Sequence, residues 1–354
     1  MLYWLYEQLN FNLLSYITVR AAVSFCIAFV LTLWWMPRFI QWAKKHGATQ
    51  PIYNHAPGQH KIKHNTPTMG GLIFTLSALI GILIAADLGN SFVWIGILVL
   101  VAFGAIGVFD DWRKVFHKKN DAGLTPRIKF IAQTGFALLI GWLLIGVSPL
   151  GTELYLPFIK EPVLDAGLWM MLFWGVVIVG ASNAVNLTDG LDGLAAVPSV
   201  FALSTLVVFM YITGHAILSQ SLLMPRLIGV GEVVVLATAL IGGLLGFLWY
   251  NANPAEVFMG DSGSLTLGAF IAYAAILSKS EILLLLIGFI FVVETVSVIL
   301  QVGSFKLRGQ RIFLMAPLHH HFELKQWAEN KIIVRFWIIA LLSNILALIT
   351  IKIR

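Results

Sequence analysis

Four short polar stretches interrupt an otherwise apolar chain. Asn183, Asn186, Asp189 and Asp192 recur every three residues, which at a helix end lays two amides and two carboxylates roughly along one face. Gly190 and Gly193 remove side chains beside those carboxylates, so backbone or a ligand can come close. Asp110 and Asp111 are adjacent at the end of another apolar run, and Asp261 lies among Gly260, Ser262, Gly263 and Ser264. His319, His320 and His321 follow Ala316-Pro317-Leu318. Carboxylates offer the hard oxygen ligands that Mg²⁺ prefers, while lysine and histidine neutralise phosphate. The chemistry that would use such a set is the gripping of a phosphate through a metal, or of a polar ring such as a base.

Simpler uses exist for each stretch. Asp261 before an apolar run is a natural N-cap, and Asp110–Asp111 beside Arg113 and Lys114 could be a solvated cluster. Adjacent carboxylates do not share a helix face, so one could meet the site while the other pairs with Arg113 or Lys114; alternatively both bind Mg²⁺. Lys129 either enters the same cavity or snorkels to headgroups. With one cysteine in the chain, closed structural zinc at the histidines is disfavoured, and phosphate donors fit better. Lys61, Lys63 and Thr66-Pro67-Thr68 read as a helix start suited to an anion, with Thr66 or Thr68 as cap. Asn251 and Phe258 flank Asp261, and Phe258 could stack on a nucleobase. Glu294 lies deep in an apolar run, so it faces protein or water rather than lipid.

These residues need a scaffold, and the composition defines it. Of 354 residues, 59% are hydrophobic and only 11% charged, against about 25% charged in soluble domains. The mean hydropathy is +0.87. The apolar runs lack strand alternation, so the fold class is an all-α polytopic membrane protein, read as one domain over residues 1–354. Ten spans are expected near 19–40, 69–87, 92–109, 129–147, 168–185, 195–214, 231–249, 263–279, 281–301 and 332–351. Seventeen of the 23 Lys and Arg residues follow the first, third and ninth spans, which places those loops in the cytoplasm and both termini outside. Parity places Asp189, Asp192 and Asp261 on the same side. The net charge of +6 is this loop bias and carries no expectation of nucleic acid. Thr152 to Leu156 reads as a small outer hairpin, and Cys26 as a small packed residue.

In this order, Asp110-Asp111, Asn186-Leu187-Thr188-Asp189-Gly190-Leu191-Asp192-Gly193 and Gly260-Asp261-Ser262 resemble the polyprenyl-phosphate N-acetylhexosamine-1-phosphate transferase superfamily, over nearly the whole chain. Thr66-Pro67-Thr68-Met69-Gly70-Gly71 and the uninterrupted histidines resemble its N-acetylmuramoyl-pentapeptide branch. That resemblance implies Mg²⁺, the inner membrane of a bacterium and a homodimer. It also implies attack by undecaprenyl phosphate on the β-phosphate of UDP-N-acetylmuramoyl-pentapeptide, releasing UMP and leaving lipid I in the membrane, the first membrane step of peptidoglycan synthesis.

On this reading Asp261 is the principal Mg²⁺ ligand, and Asp110 and Asp111 assist the metal or orient the lipid phosphate. Asp110 is also the family's candidate base. That role is modest, because a phosphate monoester with a second pKa of about 6 is already ionised. Asn186 and Asp189 would hold the diphosphate, and Lys63, Asp192, Asn251 and Phe258 the uridine. Lys114, Lys129, His320 and His321 would neutralise phosphate charge, with Thr68 and His319 completing the substrate-binding set. One-step in-line displacement is favoured over an aspartyl-phosphate. The alternatives are a related N-acetylglucosamine-1-phosphate transferase and, in another class, a transporter of an anionic lipid or nucleotide.

Overall fold

A computed structural model describes residues 1–9, 12–49, 66–117 and 122–352. Lys61 and Lys63, and the anion-binding role expected of them, lie outside the described residues. A short helix α1 (Leu2–Leu9) leads into α2 (Ile17–Lys45), α3 (Gly70–Ala85), α4 (Ser91–His117), α5 (Pro126–Gly146), α6 (Trp169–Thr188) and α7 (Ala196–Gly214). There follow α8 (Ala216–Ser221), α9 (Val233–Asn251), α10 (Asp261–Leu277), α11 (Leu284–Ile287), α12 (Phe289–Arg308), α13 (Leu318–Leu324) and α14 (Glu329–Ile349). Among the described residues, eight helices are long and apolar enough to cross a membrane, and α3 and α10 are shorter apolar helices. The only strands described, β1 (Glu153–Leu154) and β2 (Leu164–Asp165), pair antiparallel where the hairpin is expected.

The bundle is built around α10. Every residue from Ser262 to Leu277 is buried, as a helix apolar on all sides requires. It packs on α3, α4, α6 and α7. Lipid gives no hydrophobic drive between helices, so close packing through small residues has to hold them. A Cβ on Gly71 of α3 would lie 2.1 Å from the Gly263 nitrogen, and one on Gly107 of α4 would lie 2.2 Å from the Asp261 carbonyl oxygen. Both contacts are with backbone, so neither position admits a larger residue without moving α10.

The 17 residues of α10 span about 25 Å, short of a hydrocarbon core of about 30 Å. At its N-terminus the Asp261 side chain is only 13% exposed, enclosed by the neighbouring helices. The 27-residue α4 runs past that level, so Asp110 and Asp111 lie inside the helix rather than at its end.

Three local expectations are corrected. Neither Thr66 nor Thr68 caps α3: its N-cap is Met69, in the left-handed region at φ 72°, and Thr68 donates its N–H to Ala48 O instead. Cys26 is exposed on α2 rather than packed. The ninth span is displaced toward the C-terminus and broken at Gly288, because the apolar run from 281 begins in a buried turn rather than in helix.

Candidate active site

The N-terminus of α10 is held by Asp111. Its two carboxylate oxygens accept the N–H groups of Asp261 at 3.1 Å and Ser262 at 2.9 Å. This is the capping that orphaned helix amides require, supplied by a neighbouring helix. Asp110, one residue earlier, accepts the Leu124 N–H through Oδ1 at 2.7 Å, which ties the entry to α5 against α4. The close packing of α4 against α10 thus brings three carboxylates together: Asp110, Asp111 and Asp261 offer oxygens that all lie within 4.8 Å of one another.

Cations and amides converge on Asp261 from other helices. Lys129 of α5 donates to Oδ2 at 2.6 Å, so it enters the recess rather than snorkelling. Lys114 of α4 donates to the same oxygen at 3.1 Å and lies 2.5 Å from Asp110 Oδ2. Asn186 of α6 donates to Oδ1 at 2.7 Å and to Ser264 Oγ at 2.8 Å. Arg113 is not needed as the counter-ion. Asp189 caps the end of α6, where burial pushes its carboxyl up to about 8 and the Asp261, Asp111 and Asp192 charges add to the shift. Carboxylates crowded in this way repel one another, and a hard cation fits them: the donors are all oxygens on rigid elements.

The remaining candidates form a second layer. Asp192 accepts from Asn253 Nδ2 at 2.9 Å and from Ala255 N–H at 3.0 Å. Asn251 is buried, accepting from Gly193 N–H at 2.9 Å and donating to Val257 O at 2.8 Å. These two residues tie the loop of α6–α7 to the loop of α9–α10. Phe258 is half-buried on the latter, its N–H donating to Pro67 O and its carbonyl accepting from Gly70. Thr68 packs toward Gly260, where an added Cβ would lie 3.0 Å from its Oγ1.

The histidines ride on α13. His319 is 1% exposed, wedged between Glu294 and Gly190; a Cβ on Gly190 would lie 2.2 Å from its Nε2. That glycine is what lets α13 dock beside Asp189. His320 Nδ1 donates to Glu323 at 2.6 Å. His321 Nδ1 accepts the Leu314 N–H at 3.1 Å. Desolvation, with Lys325 nearby, pulls His321 below the ordinary imidazole range, and with Nδ1 accepting from Leu314 it is Nε2 that is left to face a ligand.

Sequence reasoning missed Ser264, which shares Asn186 with Asp261, and Leu124, whose amide holds Asp110. Ser264 lies next to a recognised motif and was within reach. A backbone donor such as Leu124 leaves no signal in residue type.

Residues 93–279 match the family model described as glycosyl transferase family 4. Proteins named phospho-N-acetylmuramoyl-pentapeptide-transferase are similar over their full length. Those of a Nitratiruptor species and of Campylobacter curvus are each 58% identical, with 100% of both chains covered. That of Sulfurimonas denitrificans is 57% identical with the same coverage.

Proposed function

Because the chain belongs to the phospho-N-acetylmuramoyl-pentapeptide-transferases of glycosyl transferase family 4, we propose that the recess around Asp261 is where phospho-N-acetylmuramoyl-pentapeptide passes from its UDP-linked donor to undecaprenyl phosphate. The products are lipid I and UMP. The observation that carries this reading is the convergence of three carboxylates and two lysines on the start of α10.

An oxygen of the lipid phosphate forms a bond to the β-phosphorus as the bond from that phosphorus to the bridging oxygen breaks, and the bridging oxygen leaves with UMP. The nucleophile is already ionised at neutral pH, so positioning and charge neutralisation are the main tasks. Lys114 and Lys129 face the developing charge, and His320 and His321 act from α13 as donors to phosphate oxygens. Asp189 and Asn186 line the diphosphate region. Phe258, Asp192, Asn251 and Lys63 serve the uridine, with Asn251 and Asp192 acting through the loops they fix. His319, buried as it is, keeps α13 against Gly190 and Asp189.

Mg²⁺ suits the oxygen-only donor set. Asp261 is its principal ligand in this reading, with Asp110 and Asp111 close enough to assist and Asn186 and Lys129 orienting the Asp261 carboxylate. Bound there, the ion would neutralise diphosphate charge. The basic loops support a reading with this end of the bundle in the cytoplasm and both termini across the inner membrane. In the same reading the protein acts as a homodimer through apolar span faces.

The test is UMP release by the full-length protein in detergent. UMP is expected with UDP-N-acetylmuramoyl-pentapeptide only when polyprenyl phosphate and Mg²⁺ are both present. UDP-N-acetylglucosamine is expected to give less than about 1% of that rate, in line with the discrimination of sites built on polar contacts. UMP released without lipid, together with phosphorylated enzyme, would replace one-step displacement with a covalent route.

A further inference from the structure

The segment from Gly309 to Leu318, which carries the histidine helix, contains no buried residue. Packing of the segment is limited to partly buried side chains, with Phe313 meeting the His321 ring edge-on at 5.8 Å between centroids. Apart from Leu314, whose N–H goes to His321 Nδ1, and the helix-end bonds of Gly309 to Phe305 O and of His320 to Pro317 O, its hydrogen bonds lead to one face of α12. Ser304 Oγ donates to Gln310 O at 2.9 Å. Gln301 Oε1 accepts the N–H groups of Ile312 at 3.0 Å and Phe313 at 2.9 Å, and Gln301 Nε2 donates to Phe313 O at 3.0 Å. Glu294 accepts the N–H groups of Leu318 at 2.6 Å and His319 at 3.2 Å, and its Oε2 lies 3.3 Å from His319 Nδ1.

Glu294, Gln301 and Ser304 stand seven and three residues apart, the spacing of one helical face. All three are polar groups in a membrane helix, where an unpaired side chain is costly and protein contact is the usual resolution. Glu294 is fully buried, although α12 buries only Ile290, Phe291, Glu294 and Ser297. The far end of the arm has a separate anchor, with Phe322 stacked on Trp327 at 4.6 Å between centroids and set against Phe336.

We propose that Glu294, Gln301 and Ser304 form a positioning stripe that sets where His320 and His321 meet the donor phosphates. Each of the three bonds the backbone of the arm, and none is placed against Asp261, so the stripe acts through the histidines rather than on substrate. The proposal rests on the histidine role assigned above.

Gln301→Met tests it, because methionine keeps the length and removes every hydrogen bond. In the full-length enzyme, kcat/KM for the UDP-linked donor is expected to fall about tenfold, mostly in kcat. Exchange of the Ile312 and Phe313 amides should accelerate while thermal unfolding stays within a few degrees of wild type. The deciding step is a double-mutant cycle with His320→Ala. If the stripe works through the histidines, Gln301→Met costs less than about twofold in the His320→Ala background. Two independent losses that multiply would overturn the proposal, as would Gln301→Met kinetics equal to wild type when His320→Ala is impaired. A His320→Ala enzyme with wild-type rates would instead overturn the histidine role itself. Glu294→Gln, which retains an acceptor for the α13 amides, is expected to lose less than Glu294→Ala; equal loss in two folded proteins would count against the stripe.

Discussion

Charged groups are buried at both ends of this bundle, and they are arranged in opposite ways. At the end opposite Asp261, Arg20 is 1% exposed and meets both oxygens of Glu232 at 2.6 Å, a two-toothed pair with planar geometry. Lys279, also buried, donates to the carbonyls of Gly151 and Glu153 and so fastens the β1–β2 hairpin to the end of α10. Glu281 takes the indole N–H of Trp174 at 3.0 Å. In each case the group meets an opposite charge or a dipole. At the Asp261 end, carboxylates are gathered against one another and two lysines share a single oxygen. Like charges held together store repulsion, and that arrangement persists where function requires it. The first kind of cluster staples helices; on the function proposed above, the second receives the donor diphosphate.

The largest effect that would separate the two is Asp261→Ala. It should lower kcat/KM by about 10³-fold or more, the scale of losing a central electrostatic group, while the helical circular dichroism and unfolding temperature hold. Stability survives because removing one of three crowded carboxylates relieves repulsion even as two lysines lose a partner.

Next comes Gly190→Ala. The added methyl would meet the His319 ring at 2.2 Å, and the displaced α13 should lower kcat/KM by about tenfold to a hundredfold. A thermal scan checks that overpacking costs no more than about 1–3 kcal/mol.

Lys279→Met should do the reverse. It frees the hairpin and leaves Gly151 and Glu153 carbonyls without their donor, so unfolding in detergent should come several degrees earlier, with kcat within about twofold of wild type at temperatures where the protein is folded.

The smallest effect is a pH slope. Burial raises the Glu281 carboxyl from 4.5 to about 7. The folded state then holds a proton that the unfolded chain has released, so stability falls as pH rises from about 4.5 to about 7 and levels off above. Glu281→Gln should flatten that part of the curve in unfolding scans run across pH.

The membrane fold was legible because apolar runs of helical length can hardly be anything else, and the ten expected spans have counterparts in α2–α7, α9, α10, α12 and α14. The convergence of Asp110, Asp111 and Asp261 was legible as a set of types on one side, since span parity puts the end of the run before Asp110 and the start of the run after Asp261 on the same side. What each does was less so. That Asp111 caps α10 depends on Gly107 admitting the backbone of Asp261, a contact between residues far apart in sequence. The expected span 263–279 has the 17-residue length of α10 but begins two residues late, which left Asp261 outside the helix it opens. Gln301 and Ser304 look like ordinary interfacial residues until the arm they hold is seen, because their partners are backbone atoms of a segment with no periodicity of its own.

The most direct measurement is UMP release and thermal unfolding recorded side by side for Asp261→Ala and Lys279→Met. A crossed result is expected: Asp261→Ala loses turnover and keeps its unfolding temperature, whereas Lys279→Met loses unfolding temperature and keeps turnover. If both variants lose turnover only in proportion to the folded protein remaining, the two clusters are the same kind of object, and the assignment of the reaction to the Asp261 recess is wrong.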